Sequence, residues 1–221
     1  MRAVFFDLDG TLIDLPEDFF AVFEQALTRH DVRADAERHE RFTETLLDLL
    51  GECRADPYRD AMADLCAEFG LDADPDELAE SYVEREVAAT ALRPGTNEVF
   101  DALGGSAETA LGVLTNGGAR AQRRKLARHG LAEEFDAVVV SGEVGAGKPD
   151  PEIFATATEA IPADEYVFVA DDLERDVLPA QESGFTGVYL SEAKESAELS
   201  EATDRADETA SSLREVPALL G

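Results

Sequence analysis

A chain of 221 residues, 44% of them hydrophobic, is long enough to bury one full core, and its net charge of −30 excludes a surface that attracts nucleic-acid phosphates. The acidic residues are spread over the whole length and lysine is scarce, so we expect a solvated acidic surface adapted to a salt-rich, halophilic cytoplasm. The first apolar run is short and no run could span a bilayer, so we expect a cytoplasmic protein with neither a signal peptide nor a membrane partner.

The first predicted element is a buried strand that ends at two carboxylates. The apolar run 3–6 is followed by Asp7 and Asp9, and then by Gly10, which lets the backbone turn away. The two-residue period of a strand places Asp7 and Asp9 on one side of the chain. In an open parallel sheet, ligands bind at the carboxyl ends of the strands, so this pair points to a reaction site. An aspartate-rich turn is the alternative interpretation.

Four amphipathic helices are predicted next, with no strand between them. They begin near Pro16, Ala36, Asp56 and Asp74. Their apolar residues recur at helical spacing, and this spacing predicts that Phe19, Phe20 and Leu47 belong to inward-facing stripes. The pattern predicts a small helical bundle, residues 15–92, inserted after the first strand.

From residue 93 onward the pattern changes to alternating helices and strands. Strands are predicted at 110–114, 137–140, 166–170 and 185–190, with helices at 97–103, 120–129, 151–160 and 175–183. Such alternation is typical of a parallel sheet covered by helices on both faces. We therefore expect an α/β fold with a doubly wound parallel sheet, formed by residues 1–14 and 93–221, in which residues 191–209 form surface loop or short elements.

Two further polar positions follow predicted strands. Thr115 offers a hydroxyl beside the loop amides of Asn116 and Gly117, a suitable cradle for phosphate oxygens, although an ordinary Asn-Gly turn is the alternative. Lys148 follows a glycine-rich segment and is one of only three lysines in the chain. A compact ammonium on a mobile stem suits the neutralisation of a phosphoryl group beside a carboxylate nucleophile.

Carboxylates also follow the predicted strand at 166–170. They are Asp171, Asp172 and Asp176. Capping of the next helix is the alternative for the first two, and Asp172 has no other expected role. Together with Asp7 and Asp9 from the neighbouring strand, these carboxylates would repel one another unless a divalent cation joined them. Hard oxygen ligands and an incoming phosphate indicate Mg²⁺.

In this order, the residues resemble the four motifs of the haloacid-dehalogenase-like (HAD) hydrolase superfamily. The matching positions are Asp7-x-Asp9, Thr115, Lys148, and Asp171 with Asp176. The resemblance covers almost the entire chain and implies a Rossmann-like core with the family's helical type-1 cap. The runs 114–117, 122–126 and 142–154 are most similar to the phosphatase branch, whereas Ala170 departs from the family's usual glycine or glutamate. Haloacid dehalogenases proper lack the second aspartate of the first motif, so Asp9 favours phosphoryl transfer.

The resemblance also implies a role for each matched residue. Asp7 would be the nucleophile that forms an aspartyl-phosphate, and Asp9 would protonate the leaving oxygen and then activate water. The implied Mg²⁺ ligands are the Asp7 carboxylate, the Asp9 main-chain carbonyl and Asp171, supported by Asp176. The implied phosphoryl-binding residues are Thr115, Asn116 and Lys148. The residues alone leave open which of Asp7 and Asp9 is the nucleophile.

The expected activity is that of a Mg²⁺-dependent phosphatase acting on small phosphorylated metabolites. One alternative is a phosphomutase, which would protect the phosphoenzyme from water; another is a non-catalytic sensor of phosphate ligands. The expected partner is a small-molecule phosphate ester. Its identity stays open because the helical insertion would supply the pocket for the leaving group, and monomer and homodimer are both compatible with the sequence.

Overall fold

The computed structural model describes residues 1–191 and 205–220, and its centre is a parallel β-sheet. In chain order the strands are β1 (Arg2–Phe6), β2 (Ile13–Asp14), β3 (Ala91–Leu92), β4 (Thr109–Thr115), β5 (Ala137–Val140), β6 (Glu165–Ala170), β7 (Thr186–Leu190) and β8 (Glu208–Ala210). Within the described ranges, six of them form one sheet in the order β5-β4-β1-β6-β7-β8, and every neighbouring pair is parallel. The predicted fold class is confirmed.

Helices cover the sheet and fill the segment between β2 and β3. They are α1 (Phe19–Thr28), α2 (Ala36–Gly51), α3 (Pro57–Phe69), α4 (Pro75–Ala88), α5 (Thr96–Leu103), α6 (Ala119–Arg128), α7 (Ser141–Val144), α8 (Pro151–Ala160), α9 (Leu178–Glu182) and α10 (Val216–Leu219). A π-helical turn over Leu173–Val177 precedes α9, and a 3₁₀ turn over Leu213–Glu215 precedes α10. None of these helices has the length and apolar character that a membrane crossing needs.

The position of β1 at the middle of the sheet explains its sequence. Its neighbours are β4 on one side and β6 on the other, and residues 3–6 are fully buried. Because both faces of the sheet are covered, β1 is continuously apolar and does not alternate. Separate apolar clusters lie on the two faces. The first carboxylate of the chain, Asp7, follows directly at the carboxyl end of β1 and is itself buried.

Helices α1–α4 pack around an apolar cluster of their own. An aspartate side chain caps the N-terminus of each helix: Asp18, Asp35, Asp56 and Asp74. Because Asp18 is the cap, the predicted first turn at Pro16 lies outside α1 and that start was wrong. The antiparallel pair β2–β3 joins this helical segment to the rest of the chain, and the division at residues 15–92 stays a prediction.

Some local predictions differ from the structure for identifiable reasons. Phe19 and Leu47, predicted to face inward, are 36% and 61% exposed, because they border a cavity rather than a core. The glycine-rich segment before Lys148, for which no helix was predicted, begins within α7. Of residues 191–209, expected to form surface loop or short elements, 192–204 lie outside the described residues, and the short strand β8 begins in the remainder, which agrees with that prediction.

Candidate active site

Three aspartates converge at the carboxyl end of the sheet. Asp7 follows β1 and Asp171 follows the adjacent strand β6, while the π-helical turn after β6 brings Asp176 to the same place. One carboxylate oxygen from each of the three lies within 4.8 Å of the others. Asp7 and Asp176 are buried and Asp171 is half-buried. The structure thus brings together three of the predicted metal-ligating side chains.

Asp172 does not belong to this group. Its side chain caps the π-helical turn by accepting a hydrogen bond from the main-chain N–H of Arg175 at 2.9 Å. The guanidinium of Arg175 in turn donates to Asp176, with Nε 3.0 Å from Oδ1. Capping was the predicted alternative for Asp172, and the structure shows this capping contact. Asp176, in contrast, is fully buried and its carboxylate faces Asp7 and Asp171.

Lys148 lies between two of the three aspartates. Its Nζ is 2.7 Å from Asp7 Oδ1 and 3.2 Å from Asp176 Oδ2, and the side chain is 1% exposed. Burial raises the pKa of Asp7 well above the usual carboxyl range, and the ammonium of Lys148 opposes that rise. A desolvated carboxylate with a raised pKa, paired with a buried lysine, is an arrangement typical of functional sites.

Asn116 fixes the main chain of Lys148. Its Oδ1 accepts from the N–H of Lys148 at 2.8 Å, and its Nδ2 donates to the carbonyl of Lys148 at 2.9 Å. Thr115, the last residue of β4, is buried and accepts at Oγ1 from Gln122 Nε2 at 2.9 Å. The predicted cradle also includes the N–H of Gly117, which here donates to Ser141 Oγ at 2.9 Å. The phosphoryl-binding roles of Thr115, Asn116 and Lys148 stay predictions.

The aspartate group fits a divalent cation. Thr11 Oγ1 donates to Asp171 Oδ1 at 3.0 Å, while Gly10 lies so close that a Cβ there would be 2.4 Å from Asp171 Oδ2. Burial raises the pKa of Asp171, as it does that of Asp7. The three carboxylates are paired with two cations, Lys148 and Arg175, so the group still has an excess carboxylate whose charge a divalent ion can balance.

The side chain of Asp9 points to a different set of partners. Its two carboxylate oxygens lie 3.0 and 2.9 Å from Lys125 Nζ, and Gln122 Nε2 donates to it at 2.9 Å. Lys125 also lies 3.0 Å from Glu86 of α4. Burial alone would lower the pKa of Lys125, but Asp9 and Glu86 outweigh it and raise that pKa. The Asp9 carboxylate is therefore separate from the three-aspartate group, which leaves its main-chain carbonyl for the predicted metal role.

Sequence reasoning missed several residues of this site. Lys125 carries the same signal that singled out Lys148, since the chain has only three lysines. Glu86 follows Tyr82 by four residues on the buried face of α4, and a carboxylate on an apolar stripe indicates a buried partner. Thr11 gave no comparable signal, because its contact with Asp171 joins residues 160 positions apart in the sequence.

A cavity of 280 Å³ opens beside Asp9, between the sheet and the helical segment. Asn116, Gln122 and Lys125 lie at its sheet side, and residues of α1–α4 form the rest of its wall. The cavity therefore connects the predicted catalytic carboxylate to the helices inserted after β1.

Comparison with known proteins agrees with this geometry. The sequence model of the haloacid dehalogenase-like hydrolase family matches residues 1–184. A phosphoserine phosphatase of Thermus thermophilus is 40% identical over 116 residues, which cover 52% of this chain and 46% of that protein. A validoxylamine A 7′-phosphate phosphatase of Streptomyces hygroscopicus subsp. limoneus is 30% identical over 213 residues, 91% of each chain.

The same relationship holds among solved structures. The crystal structure of a HAD phosphatase from Thermococcus onnurineus is 29% identical, covers 100% of this chain and 98% of its own, and superposes with a TM-score of 0.70. The family match extends over most of the sequence and includes all the aspartates described above. The chain belongs to the haloacid dehalogenase-like hydrolases.

Proposed function

We propose that this protein is a Mg²⁺-dependent phosphatase that hydrolyses small phosphate monoesters through an aspartyl-phosphate on Asp7. The observation that carries the proposal is the buried Asp7 carboxylate, held by Lys148 and grouped with Asp171 and Asp176. The similarity to phosphatases over most of the chain supports it.

In the first step, a carboxylate oxygen of Asp7 attacks phosphorus and the bond from phosphorus to the alcohol oxygen breaks. Asp9 donates a proton to that oxygen, so the alcohol leaves neutral. Lys148 sits beside Asp7, where its ammonium offsets negative charge that builds up on the transferring phosphoryl group. In the second step Asp9 takes a proton from water, which attacks phosphorus, and Asp7 is released together with inorganic phosphate.

Asp7, Asp171 and the main-chain carbonyl of Asp9 would hold the Mg²⁺, with Asp176 in support. The ion supplies positive charge that lets a dianionic ester approach the aspartates. Gln122 and Lys125 orient the carboxylate of Asp9 through three hydrogen bonds. Thr115 and the Asn116 loop would bind the phosphoryl oxygens.

Phosphate release from p-nitrophenyl phosphate tests the proposal when it is measured with Mg²⁺, with EDTA and with Ca²⁺. We expect turnover with Mg²⁺, its loss with EDTA, and poor replacement by Ca²⁺, whose looser coordination spoils the in-line geometry. Full activity in metal-free buffer would contradict the metal requirement. The Asp7→Asn variant is the matched control, since its amide cannot attack phosphorus.

A further inference from the structure

The cavity beside Asp9 collects most of the exposed large apolar side chains of the described residues. Four such side chains are exposed, and three of them, Leu15, Phe19 and Leu47, line this cavity; the fourth is Met1. Apolar side chains clustered at one opening indicate a ligand surface.

Charged groups in the cavity wall are already paired. Lys125 is the only lysine or arginine among the lining residues, and its ammonium is shared between Asp9 and Glu86. An ammonium has three N–H donors, so contacts with two oxygens of Asp9 and one of Glu86 occupy all of them. A second anionic group on a ligand would meet an excess of carboxylates and no available cation.

One polar group in the wall has no hydrogen-bond partner within the described chain. It is Nε2 of His39, which is buried while its ring packs against Phe20 and Phe23 at centroid distances of 5.3 Å. Burial lowers the pKa of His39, so at neutral pH its ring is uncharged and adds no positive charge to the wall.

We propose that this cavity receives the alcohol part of the phosphate ester and selects esters whose alcohol is uncharged and mainly apolar. The inference rests on the proposed phosphatase function. Its position supports it, because the lining residues Asp9 and Asn116 belong to the predicted catalytic and phosphoryl-binding set. The volume of 280 Å³ lies at the small end of ligand pockets, which span about 300–1,000 Å³, so the alcohol part is a small one.

The same wall disfavours two other classes of ester. A carboxylate on the alcohol would be desolvated beside Glu86 and Asp9 without a counterion. A polyol would place several hydroxyls against leucine and aromatic side chains, and a hydroxyl that loses water without gaining a partner weakens binding.

The test compares three esters of primary alcohols, whose leaving groups have similar chemistry. They are 2-phenylethyl phosphate, glycerol 3-phosphate and 3-phosphoglycerate, each assayed with Mg²⁺ for kcat/KM. We expect 2-phenylethyl phosphate to exceed each of the others by about tenfold or more. An equal or higher kcat/KM for glycerol 3-phosphate or 3-phosphoglycerate would overturn the inference.

Acetyl phosphate tests the phosphatase function independently of the cavity. Its acyl group is too small to fill the cavity, so its hydrolysis depends on the catalytic residues alone. Hydrolysis of acetyl phosphate without preference for 2-phenylethyl phosphate would refute the inference and leave the phosphatase intact. If none of the four compounds were hydrolysed, both proposals would fail.

A charge placed at the cavity mouth provides a second test. Leu47→Lys should raise the ratio of kcat/KM for 3-phosphoglycerate to that for 2-phenylethyl phosphate about tenfold, because it adds a cation and removes apolar surface. Ala155→Lys is the matched control, since Ala155 is exposed on α8, which does not line the cavity. We expect no change of the ratio in this control. A ratio that Leu47→Lys moves no further than Ala155→Lys does would overturn the inference.

Discussion

Gly10 shows how closely the aspartate group is packed. Its φ of +90° lies in the region that only glycine adopts freely, and an added Cβ would meet Asp171 at 2.4 Å. Both constraints follow from the turn that carries the chain away from Asp9 and past Asp171. The residue therefore controls the position of a proposed metal ligand without binding anything itself.

Gly10→Ala should lower Mg²⁺-dependent turnover by about 100-fold, because a displacement of roughly 1 Å at a reacting centre costs that much. Steady-state phosphate release over a Mg²⁺ titration measures the effect. Gly130→Ala is the control, since Gly130 also has a positive φ, +72°, but no atom lies within 4 Å of its added Cβ. Both variants should lose about 1–2 kcal/mol of stability from backbone strain. Equal turnover in the two variants would contradict the account of Gly10.

The proposed catalytic and metal-binding residues could be predicted where they directly follow strands. They could be predicted less well where contacts between distant parts of the chain determine which side chains meet. Asp7, Asp171 and Asp176 were predicted to meet, because neighbouring parallel strands end at one edge of the sheet. The contact of Asp9 with Lys125 depends on how α6 packs, which no local pattern encodes. Sequence reasoning therefore found the aspartates and Lys148, but not Gln122 and Lys125 as the residues that orient Asp9.

At the scale of elements, a buried ion pair joins α4 of the helical segment to α6 beside the sheet. Lys125 and Glu86 are 3% and 5% exposed at their side chains, and Asp9 lies on the other side of the ammonium. Burying these charges is costly, and their mutual pairing offsets the cost only while all partners remain. Arg120 and Arg124 of α6 also pair with Glu80 of α4, but those side chains are partly exposed, so Lys125 is the partner whose loss leaves a buried charge unpaired.

Lys125→Met should destabilise the fold by about 3–5 kcal/mol, because it leaves the buried carboxylate of Glu86 and the partly buried carboxylate of Asp9 without this counterion. Urea denaturation measures this loss. Arg214→Met is the matched control: Arg214 pairs with Glu98 at 2.6 Å, but both side chains are more than half exposed, so the expected loss is about 0–1 kcal/mol. Adding Glu86→Gln to Lys125→Met should recover part of the stability. Equal losses for the two single variants would show that the buried pair does not stabilise the packing of α4 on α6.

Periodicity predicted the long elements within a few residues, but it could not predict the short ones. Strands β2 and β3 contain two residues each, too few to show any alternation. Leu47 fits the apolar spacing of α2, yet it lines the cavity and is exposed. The spacing could not reveal this, because cavity walls and cores are built from the same apolar residue types. The periodic pattern identifies an apolar face but does not identify what covers it.

At the scale of the whole molecule, acidic residues are in large excess: the chain has 49 aspartates and glutamates against 19 lysines and arginines. These charges repel one another across the folded surface, and the repulsion decreases as salt shortens the Debye length from about 10 Å at 0.1 M to about 3 Å at 1 M. Adaptation to a salt-rich cytoplasm stays a prediction from this composition.

The melting temperature should rise as KCl is increased from dilute buffer to 1 M, with most of the gain at the lower concentrations where screening changes fastest. Differential scanning calorimetry over a KCl series measures this. Sucrose is the control, since it stabilises proteins by exclusion from the surface without screening charge. A melting temperature that does not change between dilute buffer and 1 M KCl would refute the role of self-repulsion.

The central claim is that Asp7 carries the phosphoryl group and that Asp9 serves both proton transfers. Rapid mixing of Asp9→Asn with p-nitrophenyl phosphate tests it most directly, because this leaving group departs without protonation while the aspartyl-phosphate still needs a base. We predict a burst of about one nitrophenolate per active site followed by a much slower steady state, and no burst from Asp7→Asn. A burst from Asp7→Asn together with none from Asp9→Asn would contradict the assignment of the nucleophile, and no burst from either variant would contradict the role of Asp9 as the base of the second step.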